Sequence, residues 1–226
     1  ALFYNYISSN CLFFDESSHA LSQEEKTKLF EMMQVTHDIF TGLDVKYFMV
    51  RGTLLGSVRS QSLIPWDDDA DLGIVVSDKN KLRSHTLSEQ LDAHGLEIGE
   101  DKRPSSHGIF KIKPKDAGSP FIDILVYKET NNQKYVLENI NARRFWPDDY
   151  FYEDELFPLG LSKFESILMR SPQQPNKYLK RKYDDWQNVV FDIAIVDHKL
   201  PEWKRKMIML SRFIFCWPRC SRTKKM

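Results

Sequence analysis

The sequence predicts an α+β fold, and three observations predict it. A capping box, Ser22-Gln23-Glu24-Glu25, opens a stretch whose apolar residues Leu29, Phe30, Met33, Val35 and Phe40 recur mostly at helical spacing. Two short apolar runs rich in β-branched residues, Leu72 to Val76 and Phe121 to Tyr127, read as strands. Between and after them, further helical and extended segments are separated by Gly and Pro rather than by long polar linkers.

The elements follow in order. The first helix spans about 23 to 41 and stops at Gly42, with His37 as a core or boundary residue. Tyr47 to Val50 is a strand. Gly52-Thr53 then turns the chain into a short helix through Arg59, and a helix start after a glycine turn offers free N–H groups to an anion. The next strand begins near Asp69. Ser77 or Asp78 caps a polar outer helix reaching about His94 and stopped at Gly95. Strands are expected near 96–99, 109–113 and 121–127, with Pro104, Gly108, Pro114, Gly118 and Pro120 in the loops. Residues 131 to 150 are less regular. The acidic and aromatic run Asp148 to Glu155 reads as a solvated loop edge, with a second cation site as the alternative. One or two strands fit 155–169, and a helix fits 175–186.

Composition bounds the function. The chain has 226 residues, 42% hydrophobic and 28% charged, which suits one soluble domain with a full core. Residues 199 to 226 carry nine Lys or Arg against Glu202 alone, a net +8, so residues 1 to 198 carry −8 and the whole sums to zero. An acidic body excludes broad nucleic-acid binding, which needs a basic track. Cys11, Cys216 and Cys220 match no zinc spacing, and one disulfide or three free thiols fit equally. No run reaches the roughly 18–20 apolar residues that span a bilayer.

The segment Leu54 to Arg59, followed by Ile64-Pro65-Trp66-Asp67-Asp68-Asp69-Ala70-Asp71-Leu72, carries the chemistry. Four carboxylates within five positions sit at the mouth of an apolar strand. Like charges that close repel, and burial worsens the repulsion. A divalent cation removes the conflict. Alternate strand residues share a face, so Asp69 and Asp71 point one way, and Asp68 is expected to point away. Asp67 lies nearer the loop. Asp123 is the only charge in its own apolar run before Lys128, so it must be paired or metal-bound. On neighbouring strands, Asp69, Asp71 and Asp123 would hold hard cations, Mg2+ or Mn2+, through oxygen. Gly52, Thr53, Gly56 and Ser57 are expected beside a diphosphate. Arg59 and Lys111, with Arg51, are available to clamp phosphate oxygens, or else to pair an aspartate. Asp67 or Asp68 is a candidate to accept a proton from an acceptor hydroxyl, with His107 a rival.

Gly56-Ser57, Asp69-x-Asp71 and Asp123 on a later strand resemble the nucleotidyltransferase pattern. The string Arg51 to Arg59 with Ile64 to Asp71 resembles one branch of it, the LicD family, which includes bacterial phosphocholine transferases and eukaryotic fukutin and fukutin-related proteins. Glu155-Leu156-Phe157-Pro158-Leu159 and Pro175 to Trp186 are similar to two later blocks of that family, with Asp184 where a glycine is expected. The resemblance covers roughly residues 24 to 188. It implies a nucleotidyltransferase-like mixed β-sheet flanked by helices over residues 22–188, between an N-terminal extension, 1–21, and a basic C-terminal segment, 189–226. It further implies a metal-dependent transferase moving a phospho-alcohol, such as phosphocholine or ribitol phosphate, from a CDP-alcohol donor to a glycan hydroxyl. Catalytic weight then falls on Asp67, Asp69, Asp71 and Asp123. A Golgi or ER lumen setting follows if the source is eukaryotic, and a cytoplasmic one if bacterial. Transfer of a nucleoside monophosphate and non-catalytic glycan or partner binding are the alternatives.

Trp203 to Trp217 interleaves Lys204, Arg205, Lys206 and Arg212 with Met207, Ile208, Phe213 and Phe215. Two expectations compete: a terminal helix packed on the core with snorkelling basic stems, and a peripheral contact with an anionic membrane. Co-sedimentation with anionic liposomes separates them. Membrane contact requires that full-length protein sediment at low salt, that added salt release it, and that removal of 199–226 abolish it. Salt-independent recovery in the supernatant leaves the tail as packing.

Overall fold

The computed structural model describes residues 21–64, 67–101, 107–183 and 186–187. The three cysteines, Asp184 and the 203–217 segment lie outside them. The first helix, α1 (Gln23–Gly42), starts at the expected capping box. Ser22 Oγ accepts the Glu25 N–H at 3.2 Å, and the Glu25 carboxylate accepts the Ser22 N–H at 2.9 Å. Its buried stripe, Leu29, Met33 and Phe40, lies against the sheet. His37 bonds the Tyr47 hydroxyl at the core boundary, in keeping with a structural histidine.

The main sheet is mixed. Strand β1 (Tyr47–Met49) leads into α2 (Arg51–Ser60), then β2 (Asp69–Val75). Strands β3 (Leu96–Glu100), β4 (Phe110–Pro114) and β5 (Phe121–Thr130) complete the order β1-β2-β5-β4-β3. Only β2 and β5 run parallel, with Asp71 opposite Asp123, while the other pairs are antiparallel. β6 (Lys134–Leu137) extends the far half of β5 and pairs β7 (Tyr150–Tyr152). A separate hairpin, β8 (Gly160–Phe164) and β9 (Ile167–Ser171), packs on α2 and β1.

Several expectations are revised. The single helix from 77 to 94 is instead a 3-10 turn over Val76–Arg83 and then α3 (His85–Asp92). The cap is Ser84, whose Oγ accepts the Leu87 N–H, because Asp78 is engaged elsewhere, by the Lys46 N–H and the Lys81 ammonium. The irregular stretch before 150 holds β6 and a short α4 (Ile140–Phe145), capped by Asn139. Glu153–Leu156 is a single helical turn, α5, rather than the start of a strand. The last described helix is α6 (Pro175–Tyr183), with Pro at its first position, where no N–H is needed.

Partners in register share a face of the sheet. Asp69, Asp71 and Gly73 of β2 therefore lie with Asp123, Leu125 and Tyr127 of β5 and with Lys111 of β4. Beyond the carboxylates this face is sealed by aromatic packing. Phe48 meets Phe151 edge-on at 5.5 Å between centroids, and Phe151 stacks on Tyr178 at 4.2 Å. Gly73 makes room for the seal. A Cβ there would lie 2.5 Å from Phe48 Cε2 and 3.0 Å from Tyr127 Cε2. Gly73→Ala is therefore expected to destabilise the protein by roughly 1–3 kcal/mol through overpacking, read as a lower urea midpoint at unchanged m-value.

Candidate functional site

Side-chain oxygens of Asp69, Asp71 and Asp123 all lie within 4.8 Å of one another, and those of Asp67, Asp68 and Asp69 form a second group within the same limit. The first group follows from the parallel β2–β5 pairing, which sets Asp71 beside Asp123. The second comes from the turn before β2, where the Asp67 N–H is held by the Ile64 carbonyl at 2.9 Å. Asp68 thus does not point away, as alternation along a strand suggests. It precedes β2, so strand geometry does not govern it. Asp67 is 3% exposed, and its Oδ2 would lie 2.5 Å from a Cβ placed on Gly52. A side chain at 52 would require that carboxylate to shift.

This crowding has an electrostatic signature. Burial, then Asp71, Asp67, Asp123 and Asp68, push the Asp69 carboxyl well above the usual range. Burial pushes Asp71 up to about 6, with Asp123 and Asp149 adding to the shift and Arg51 and Lys182 opposing it. Asp123 carries the Lys111 ammonium on its Oδ1, and that ammonium also sits 3.7 Å from the Phe121 ring centroid. Three hard oxygen donors in one cluster suit Mg2+ or Mn2+.

The glycine-rich helix divides in two. At its start, Gly52 abuts Asp67, and Thr53 Oγ1 accepts the Asp71 N–H at 2.7 Å, fixing the backbone beneath the cluster. One turn on, the side-chain positions of Gly56 and Ser57 are taken up by packing contacts. A Cβ on Gly56 would collide with the Ser62 carbonyl, and Ser57 Oγ donates to the Lys163 carbonyl at 2.9 Å. Their small side chains let α2 lie against the 61–64 loop and β8. Gly56→Val is accordingly a folding variant and not a probe of anion binding. Arg59 sits in the last turn of α2, about 12 Å along the axis from Arg51, and burial lowers its pKa.

The sequence reading missed Asp149. The run from Asp148 to Glu155 is not a solvated edge, since Asp149 is 2% and Glu155 3% exposed. Arg181 grips Glu155 with both terminal nitrogens, at 2.6 and 3.1 Å. Asp149 Oδ2 accepts Arg51 Nε at 2.7 Å and Lys182 Nζ at 3.4 Å, and its Oδ1 accepts the hydroxyls of Tyr127 and Tyr178 at 2.6 and 2.9 Å. Burial works against its charge. Lys182, Arg51 and these hydrogen bonds outweigh burial and hold it well below the usual carboxylate range. The available signal was the number of aromatic residues around it, which is hard to reconcile with solvent exposure. His107, the rival base, is instead set against the rings of Phe145 and Trp146, and burial followed by Arg51 lowers its pKa.

A family model described as LicD/FKTN/FKRP, nucleotidyltransferase domain, matches residues 44–174. The chain belongs to this family. An uncharacterized protein of Rickettsia prowazekii (strain Madrid E) is 34% identical over 168 residues, covering 74% of this chain and 58% of that protein. The human ribitol 5-phosphate transferase FKRP is 25% identical over 146 residues, 62% of this chain and 28% of its own. The lipopolysaccharide cholinephosphotransferase LicD of Haemophilus influenzae is 24% identical over 125 residues, 51% and 47%. The chain thus spans between 28% and 58% of the length of these relatives. Among the described residues, no helix is long and apolar enough to cross a membrane.

The carboxylate shifts have a stability consequence whose sign is definite. A carboxyl whose pKa is raised on folding binds its proton more tightly in the native state. Stability is then full below the unfolded value, near 3.8, and is lost as pH rises through the folded value, about 6 for Asp71. Without divalent cation, the urea midpoint should fall between about pH 4 and pH 6, with Asp71 contributing on the order of 3 kcal/mol. Asp149 works in the opposite sense, its contribution being present above the unfolded value and lost as pH falls. Added Mn2+ should stabilise more at pH 7 than at pH 5, and Asp71→Asn should flatten the fall. A midpoint rising steadily from pH 4 to pH 7 in the metal-free wild type contradicts this assignment.

Proposed function

We propose that this chain transfers a phosphate-containing group, specifically a phospho-alcohol carried by a CDP-alcohol donor, to a hydroxyl of a glycan or glycoconjugate. The observation that carries the reading is the convergence of Asp69, Asp71 and Asp123 from two adjacent strands within 4.8 Å. Membership of the LicD family supports it, as do the two named transferases among the relatives.

In this reading Asp69, Asp71 and Asp123 hold Mg2+ or Mn2+. The cation supplies charge neutralisation of the donor diphosphate and of the oxygens that gain charge as the bond breaks. The chain's own residues do the rest. Thr53 fixes the backbone of Asp71, and Lys111 keeps Asp123 aligned. Asp67, or Asp68 beside it, would take the proton from the acceptor hydroxyl.

Incubation of the protein with CDP-choline or CDP-ribitol, Mn2+ and a hydroxylated glycan acceptor tests the proposal. Release of CMP, with the phospho-alcohol covalently on the acceptor, is expected. CTP consumed with pyrophosphate release, and a nucleotide on the acceptor, indicates nucleoside monophosphate transfer instead. Asp71→Asn should reduce turnover by at least about a thousandfold, the scale on which losing a principal electrostatic element lowers kcat, while circular dichroism and the urea midpoint at pH 7 show a folded protein. Turnover surviving that change within about tenfold refutes the assigned site.

A further inference from the structure

We propose that Arg51 is a phosphate-binding residue of this site and that Asp149 is its positioning residue. The inference rests on reading the carboxylate cluster as a phosphoryl-transfer site, and it adds a group which that reading did not use.

Arg51 is held in an unusual way. Its backbone lies in the left-handed region, φ +49°, which a side chain other than glycine adopts only when its surroundings enforce it. Nε donates to Asp149 at 2.7 Å, and the Trp146 ring centroid lies 4.0 Å from Cζ. Together these fix the plane of the guanidinium. Nη1 reaches only to within 3.8 Å of Asp71 Oδ1, an ion pair rather than a hydrogen bond. Nη2 is buried and finds no hydrogen-bond partner among the described residues. A guanidinium carries five donors in a rigid fork. Here one donor is spent on Asp149, Nη1 is the terminal nitrogen that lies toward Asp71, and neither terminal nitrogen makes a hydrogen bond among the described residues. Leaving buried donors unpaired is costly, so the geometry points to a partner arriving from outside the chain.

The charges say which kind of partner. Asp149 is buried and faces two cations, Arg51 and Lys182. Its single charge offsets one of them, and the other is balanced by Asp71. Once Asp71 is committed to a divalent cation, Asp149 is the carboxylate that Arg51 and Lys182 are left to share. A phosphate oxygen of a cation-bound diphosphate would accept from the terminal nitrogens of Arg51 and replace the contact that Asp71 gives up.

Titration calorimetry with Mn2+ alone, and then with inorganic pyrophosphate in saturating Mn2+, tests this on the full chain. Wild type should bind both. Arg51→Gln should weaken pyrophosphate by about tenfold or more, the scale of a lost charge-assisted hydrogen bond, while Mn2+ binds as tightly or tighter because a competing cation has gone. A merely structural arginine predicts that both weaken together as the cluster loosens. Arg51→Lys keeps the charge but not the fork. It is the variant to use if the glutamine protein does not fold, and it should lose most of the pyrophosphate affinity at unchanged Mn2+ affinity. Asp149→Asn should weaken pyrophosphate in the wild-type background and have little further effect beside Arg51→Gln. Tyr178→Phe, which removes one hydrogen bond to Asp149 without unpairing a charge, should show the same pattern in milder form. Pyrophosphate affinity within twofold of wild type in a folded Arg51→Gln or Arg51→Lys protein overturns the role of Arg51. Equal losses from Tyr178→Phe with and without Arg51 overturn the positioning role of Asp149. A wild type that binds no Mn2+ overturns the proposed function, and this inference with it.

Discussion

Repulsion among carboxylates is the constraint around which this molecule is organised. Two like charges about 4 Å apart repel by about 4 kcal/mol at the effective dielectric of a partly buried site. Asp69, Asp71 and Asp123 are held at that range, with Asp67 and Asp68 behind them. No packing gain requires such an arrangement, and the surrounding structure is built to tolerate it. Lys111 comes from β4 to Asp123, Arg51 from the start of α2 toward Asp71, and the Thr53 hydroxyl secures the Asp71 backbone. Lys111 lies on β4, while Arg51 and Thr53 share the first turn of α2. Weakening the cluster therefore reaches into β4, α2 and β2 together.

Arg51 ties that cluster to a second buried centre. Asp149 collects two cations and two tyrosine hydroxyls at the end of a stack of aromatic rings. Tyr127 comes from β5, Tyr178 and Lys182 from α6, and Arg51 from α2. A carboxylate inside an apolar region is tolerable only with this many partners. Removing one cation leaves the rest underpaired, so Asp149 acts as a joint between the sheet and the helices on its site face. The cost of burying it is met by specificity of position. The side chain it holds most directly is the one that faces the carboxylates.

How much of this was legible in the sequence depends on the range of the interaction. Asp123 could be singled out because a lone charge in a strand of Ile, Leu and Val has no local excuse. The capping box and the Asp69-x-Asp71 pair were legible for the same reason, since their geometry is set within a few residues. Asp149 was not. Its neighbours Asp148, Asp154 and Glu155 give the run an average polarity typical of solvent-exposed loops, and its partners lie at 51, 127, 178 and 182. The packing role of Ser57 and Gly56 was hidden for a different reason. A small-residue pair beside an acidic motif suggests anion binding, yet their size serves close approach to the Ser62 and Lys163 carbonyls. Sequence carries the donor and the acceptor of such bonds, but not their pairing across a hundred residues.

The register of β2 against β5 turns these separate features into one. Parallel pairing places Asp71 opposite Asp123 and Gly73 opposite Leu125. A slip of one residue would present Ala70 and Leu72 on the site face and bury the aspartates among the apolar residues of the other. Both ends of the pairing resist that slip. At one end the carboxylates tolerate each other only where Lys111 and Arg51 can reach them. At the other, Gly73 is the one residue of β2 small enough to lie under Phe48 and Tyr127, so the aromatic seal closes in a single alignment. The seal also carries the Tyr127 and Tyr178 hydroxyls that hold Asp149. Packing at the closed end of the sheet thereby sets charge geometry at the open end, and the same strand alignment answers for both.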